Sequence, residues 1–495
     1  MNPNGDHSSE DVAKAEARRR QVFRRTVLAV ILCIVALIGV RVWWGYEAGR
    51  RLQAEIDRCR AAGEPILVDD FNPTTSIPDA VNAAVLYTQA SAAIVRQTNT
   101  AISFEDAIDD PRVCAVYPDD VRAILKANAK SLKLIRLARD LPEADWGIRF
   151  TSPMINVLLP SLSQQRRLSR LAALAAMFQH QDGDHAEAIE TQRDMHAMAA
   201  KLGGRVNVAL ITHLVTIAIE ALAVSRLEGI TPTLAILDGR IDQQLPDHHA
   251  TREQIEALLH TLLDEQAIRS SWRHAMYGER AMQLDSVLMV ISGNIGAMMG
   301  PGPGVPGGVG LVSLIRPSFE LDAVRMMRCT TKLCEAGLAP NWSKAQEMAQ
   351  AGELPLPKSE IDRLTHNMSN ILVPSLQRAL TLHFRLLAER RMAATALAIR
   401  LYELDHGRRP TSLDELVPNY LEALPIDPFA TDGRTFGYKP DGSQSILYSI
   451  GDDGRDDGGE FALRQGGTVD VEQKDIPYFL NGDRPRPPLT LDSAE

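Results

Sequence analysis

Three features of the sequence point to a mainly α-helical protein with a single N-terminal transmembrane helix, a body of helical hairpins and a small C-terminal α+β module. An apolar run opens at Val27, apolar residues then recur at three- and four-residue spacing along most of the chain, and Asp-Gly turn signals flank short segments near the end. With 495 residues, 45% of them hydrophobic, and no long low-complexity block, the chain is globular and has room for two or three domains. A net charge of -10 argues against nucleic acid as a partner, and the clustered basic residues stand beside the apolar run, where anionic lipid explains them.

Residues 1–26 read as a basic cytoplasmic tail, 27–46 as the anchor and 47–65 as a stalk. Val27 to Val40 is free of charge, Arg41 can snorkel to the far interface, and Trp43, Trp44 and Tyr46 form an interfacial belt. Lys14, Arg18, Arg19, Arg20, Arg24 and Arg25 precede the run, whereas Glu47, Glu55 and Asp57 partly offset Arg50, Arg51 and Arg58 after it. The positive-inside rule then puts the N-terminus in the cytoplasm and the body in the periplasm, on a bacterial inner membrane. A cleaved signal peptide is the competing reading, against which stand the long basic region and the lack of a small-x-small site. The stalk helix stops at Gly63 and Pro65.

Residues 66–373 form the helical body. Helices are expected over Pro78–Val95, Asp119–Leu141 and Ser161–Gln181, the last ending at Asp182-Gly183-Asp184. The stretch 183–189 resembles the turn and second helix of one tetratricopeptide repeat, with small Ala188 at the close contact; without the tryptophan, leucine and glycine positions of the first helix, a helical hairpin is expected and not an array. Val206–Leu227 is apolar but interrupted by His213, Glu220 and Arg226, as in a core helix. Thr251 with Gln254 makes a capping box ahead of Ile255, Leu258, Leu259, Leu262 and Leu263. Residues 300–310 read GPGPGVPGGVG, whose glycines match the letters of a dinucleotide fingerprint, yet Pro303 and Pro306 remove donors a phosphate needs and no strand precedes them, so no nucleotide is expected. A loop over about 292–311, free to touch membrane or partner, is expected instead. An amphipathic helix over Phe319–Gly337 and a polar linker over 341–357 follow, and then an unbroken helical pattern from Pro374 to His406.

Candidate chemistry in the body is sparse. His180, Asp182, Asp184 and His185 supply metal-ligating groups at one turn, and His248 and His249 at another, but polar residues are expected at turns without any metal. Glu220 on an apolar face is the carboxylate placed for a raised pKa, unless an arginine pairs with it; Glu279 and Asp285 are further conceivable acids. The five cysteines, Cys33, Cys59, Cys114, Cys329 and Cys334, show no CxxC spacing; buried thiols are expected, with a Cys59–Cys114 pair as the alternative in an oxidising compartment.

The α+β module is expected over residues 374–460. Gly407 and Pro410 end the long helix, Ser412 with Glu415 caps a short one, and strands run through Phe436–Tyr438 and Ile446–Ile450. Residues 461–495 read as an irregular tail. The succession ALAIRLYELDHGRRPTSLDELVP, LPIDPF and LYSIGDDGRDDGG, within Ala393–Gly459, resembles the C-terminal half of the major pseudopilin of type II secretion systems. The prepilin cleavage site and the fifth-position glutamate of a pilin are absent from the anchor, so the resemblance does not imply fibre assembly. Anchor, helical body and this end together look like a group of uncharacterised membrane-anchored bacterial proteins. The pseudopilin resemblance implies calcium at the acidic loop, with Asp453, Asp456 and Asp457 as loop ligands and Asp475 as a later one.

No GxSxG, HExxH or metal-spaced histidine pair marks a hydrolase. The expected function is a non-catalytic, membrane-anchored, periplasm-facing binding or scaffold protein with a protein or envelope partner. The alternatives are an envelope hydrolase with a carboxylate site and an accessory component of a secretion or pilus-like system.

Overall fold

The computed structural model describes residues 7–97, 99–110, 112–203, 209–237, 248–292, 308–351, 367–440 and 444–489. Helix α1 (His7–Ala61) carries the apolar run and the stalk without a break. Between Val27 and Val42 its apolar side chains stay uncovered, Leu37 at 68% exposure and Val42 at 65%, so its length and composition make it a candidate membrane span. Past the run, Glu47 accepts from both Arg50 and Arg51, the i+3 and i+4 partners that steady an exposed helix. Gly63, at φ 69°, turns the chain away.

Five short helices follow: α2 (Ala83–Ala92), α3 (Phe104–Asp109), α4 (Val113–Val116), α5 (Pro118–Ala127) and α6 (Ala129–Arg139). Two expected helices are shortened or split, each by an asparagine. Asn82 caps α2 by accepting from the Ala84 N–H at 3.1 Å, which starts that helix late. Buried Asn128 separates α5 from α6, its amide satisfying both the N–H and the C=O of Val95 at 2.9 and 3.0 Å.

Helices α7 (Pro160–Gln181) and α8 (His185–Leu202) form the hairpin expected at Gly183, which sits at φ 87°. Asp184 caps α8 through the Glu187 N–H at 3.2 Å, and Ala188 is fully buried. Helix α9 (Leu210–Ile230) packs on both and, although long and apolar enough to cross a membrane, is largely enclosed by the body. The Thr251–Gln254 capping box closes at 3.2 and 2.9 Å ahead of α10 (Arg252–Leu263). There follow α11 (Gln266–Ile291), α12 (Gly308–Ala336), α13 (Trp342–Ala351) and α14 (Asn367–His406). Most of the stretch expected as a loop lies outside the described residues, and from Gly308 the chain is helical. Pro317 and Pro374 are carried inside α12 and α14, near their starts.

The sheet has the order β1 (Gly437–Lys439), β2 (Ile446–Ser449), β5 (Ile476–Phe479), all antiparallel; β3 (Ala462–Leu463) and β4 (Val469–Asp470) form a separate ribbon. The residues expected to be an irregular tail therefore supply an edge strand, with Leu447 opposite Tyr478 and Ser449 opposite Ile476. Leu447, Ile476 and Tyr478 face the helices, while Ile446, Tyr448 and Phe479 form a second small core with Phe461. The main core runs unbroken from Ile189 of α8 through α9 to α14 and into β2 and β5, so helices and sheet share one interior. Cys59, Cys114, Cys329 and Cys334 are buried thiols and none is paired.

Candidate functional site

A groove of about 430 Å³ opens where α13 and α14 meet the loops that follow the sheet strands. Its floor is Trp342, the first residue of α13. The indole stacks edge-on against Phe384 of α14 and Phe429, with centroids 5.5 and 5.7 Å away. Its Nε1–H donates to the Asp452 carbonyl at 3.1 Å, and its backbone N–H donates to the Pro428 carbonyl at 2.7 Å. Thus the DPF segment and the acidic loop, more than eighty residues beyond Trp342, fix the ring from two sides.

The walls are polar. Gln346 and Gln350 come from α13; Gln377, Arg378, Thr381 and Arg385 come from α14; Asp452 and Glu472 stand on the rim. Arg378 reaches Glu472 at 3.3 Å while remaining mostly exposed. Arg385 is buried; it donates to the Val471 carbonyl at 3.1 Å and lies 3.6 Å from Asp452. Its Nε–H has no acceptor among the described residues.

The acidic loop is built on buried carboxylates. Asp427 of the DPF segment accepts from the N–H groups of Phe429 and Ile450 at 3.0 and 2.9 Å and from the Ser449 hydroxyl at 2.8 Å, joining two of the segments that carry the pseudopilin resemblance. Burial pushes its pKa up despite these donors. Asp475 does return to the loop: its oxygens accept from the N–H groups of Gly459 at 2.6 Å and Asp457 at 3.3 Å. Burial raises its pKa as well, with Asp456 and Asp457 adding repulsion. Asp456, however, is turned to Arg434 at 2.8 Å, and Asp453 accepts from the Arg455 N–H at 3.0 Å. Asp456 and Asp475 are thus each held by protein donors. Among the described residues no group of three or more His, Cys, Asp or Glu side chains is arranged to hold a metal.

The two histidine turns, by contrast, meet. His180 and His185 bring their Nδ1 atoms to 3.0 Å, His248 lies 3.6 Å from Asp184, and the His249 ring centroid is 6.2 Å from that of His185. Burial, with His185 beside it, lowers the pKa of His180 to about 4, and its Nε2 bonds Thr233. Asp182 turns outward to Arg122 at 2.8 Å.

Of the conceivable acids, Glu220 is an ion-pair residue. It sits between His196 at 2.8 Å and Arg390, all three buried, and Arg390 also donates to the carbonyls of Leu262 and Asp264. Burial alone would raise its pKa, but Arg390 and His196 prevail and hold it at about 2. Burial raises that of Glu279, which accepts from the Leu210 N–H at 3.0 Å. Asp285 secures residues 152–154 through Ser152 Oγ and the Met154 N–H, at 2.6 and 2.7 Å.

Sequence spacing gave no sign of one further constellation. His383 donates Nε2–H to the Gly337 carbonyl at 3.1 Å, which makes its Nδ1 the acceptor for His213 Nε2–H at 3.3 Å. His213 Nδ1 must then accept from the Ser271 hydroxyl at 3.0 Å. Burial keeps both imidazoles well below their usual pKa and therefore neutral. Ser271 is 1% exposed, closed over by Gly203, where a Cβ would stand 2.7 Å from its hydroxyl.

No protein-family model, curated protein or solved structure matches the chain.

Proposed function

We propose that the protein works by binding: a membrane-anchored, periplasm-facing scaffold of the cell envelope whose groove between α13, α14 and the C-terminal loops receives a polar segment of a protein or envelope partner. The observation that carries this reading is the lining of the groove. Three side-chain amides, a hydroxyl, two guanidinium groups and two carboxylates surround an aromatic floor. Such a surface offers donors and acceptors together with no net charge, which suits an extended backbone or a hydroxylated polymer. The uncovered apolar face of α1 supports tethering to a membrane. The pseudopilin resemblance supports a narrower reading, an accessory role in a secretion or pilus-like system.

A photo-crosslinking residue at Gln346 or Thr381, introduced into the full chain in its native membrane, tests the proposal. A discrete adduct that weakens with Arg378→Glu is expected, since Arg378 is exposed and its reversal leaves the core untouched. The hydrolase reading has one observation of its own, the serine hydroxyl that donates to an imidazole. Ester hydrolysis that disappears in Ser271→Ala, with no adduct from the groove, would replace binding by catalysis.

A further inference from the structure

Arg226, on the C-terminal half of α9, is 9% exposed, yet it makes no hydrogen bond or ion pair among the described residues, and its Nε is sealed from solvent without an acceptor. A guanidinium withdrawn from water with no anion bonded to it is strongly disfavoured, so buried arginines are normally paired. The carboxylates close by are engaged elsewhere. Asp110, between α3 and α4, is taken by Arg112, whose Nε lies 3.0 and 2.9 Å from its two oxygens. Glu228, two residues further along α9, closes on Arg484 through both of its oxygens.

The C-terminal segment brings another guanidinium to the same place. Past Arg484 the Pro487 carbonyl accepts from Arg112, and Leu489 packs on the cluster that holds Phe104 and Cys114. Arg486 lies between these anchors, half-buried, and it too makes no hydrogen bond or ion pair among the described residues. Burial and then the charge of Arg486 bring the pKa of Arg226 down to about 10, against the opposing pull of Asp110 and Cys114. Burial lowers the pKa of Arg486 as well. With Arg484 and Glu228 closed on each other, Arg112, Arg226 and Arg486 are left with Asp110 alone, so positive charge is in excess.

We propose that Arg226 and Arg486 hold a small tetrahedral oxyanion of the phosphate class between α9 and the C-terminal segment. Each planar guanidinium fork pairs two oxygens, so two unpaired forks match the several oxygens and the double charge of a phosphate, which a chloride ion supplies in neither respect. The site shares no residue with the groove at Trp342 and does not depend on what that groove binds. To test it, the full chain is purified in detergent, dialysed exhaustively into chloride buffer and melted with increasing inorganic phosphate or glycerol 3-phosphate, against sodium chloride of equal ionic strength. Phosphate released on acid denaturation of the dialysed protein is assayed in parallel, so that a retained anion is counted. A saturable rise in melting temperature over the chloride control, or phosphate retained through dialysis, is expected in the wild type and should be lost in Arg226→Gln and in Arg486→Gln. Should the buried Arg226→Gln variant fail to fold, Arg486→Gln, on a half-buried side chain of the last segment, decides by itself. A response to inorganic phosphate alone assigns the free ion, and an equal response to glycerol 3-phosphate assigns a site that also admits phosphomonoesters. A wild type that neither retains phosphate nor responds to it, or a response that survives Arg486→Gln, overturns the site.

Discussion

The helical body and the C-terminal sheet both bury carboxylates, but they neutralise them differently. Glu220 in the body meets the charge of Arg390, with His196 bonded to the same oxygen, and its pKa falls. Asp427 and Asp475 beside the sheet meet only N–H and O–H donors within hydrogen-bond reach among the described residues, and their pKa values rise. Proximity to arginine is not sufficient: at Asp194, between Arg136 and Arg139, burial still outweighs both and lifts the pKa to about 6. What distinguishes Glu220 is that one of its oxygens is shared by His196 and Arg390 while the arginine is itself saturated by backbone carbonyls. The same residue type thus marks a charged joint between helices in one region and a dipole-held loop in the other.

The contrast can be tested from its strong end. Glu220→Gln leaves Arg390 buried and uncompensated, so chemical unfolding should show a loss of about 3–5 kcal/mol. Adding Arg390→Met should recover part of it; a double variant less stable than Glu220→Gln would mean that Arg390 acts through its carbonyl contacts alone. Asp427→Ala strands two amides and a hydroxyl and should cost about 2–3 kcal/mol, with hydrogen exchange quickening at residues 427–430 and 446–450 before it does in α9. Uniform quickening would deny that the loop has its own local stability.

Acid should separate the two regions by sign. The folded pKa of Glu220 lies below its ordinary 4.5, so its contribution is complete above about pH 4.5 and is lost as pH falls toward about 2. The folded pKa of Asp427 lies above its ordinary 3.8, so ionisation opposes folding there. Its part of the stability improves as pH falls through the raised pKa toward 3.8. Hydrogen exchange corrected for intrinsic rate should therefore show β2 gaining protection in mild acid before α9 loses it in stronger acid. The smallest effect expected is that of calcium. With Asp456 on Arg434 and Asp475 on loop amides, the full chain should melt at the same temperature in millimolar calcium as in chelator, whereas a higher melt in calcium would require the loop to rearrange.

Features written in neighbouring residues were legible in advance. The apolar run of α1, the Thr251–Gln254 box, the Gly183 turn and the first two strands depend on local spacing, and all are found. What escaped depends on distant partners. Asn128 breaks a helix because Val95 needs its amide, and Ile476–Phe479 becomes a strand because β2 offers an edge. A four-residue strand containing Pro477 carries no periodicity of its own. The two histidine turns were visible separately; their meeting was not. The groove was the least legible feature, because Trp342 resembles any helix-start aromatic until Phe429 and Asp452 arrive beside it.

The carboxylate of Glu228 has a consequence for biosynthesis. It is buried on α9 and accepts from the Phe479 N–H at 2.7 Å and from both Nε and Nη2 of Arg484, some 250 residues later in the chain. A ribosome adding about 5–20 residues per second makes α9 at least ten seconds before its counter-ion exists. Until then the site lacks that arginine, so this part of the helical body reaches its final packing only after Arg484 has been made. A chain cut short upstream of Arg484 would bury the Glu228 carboxylate without that guanidinium and should be less stable than the full chain.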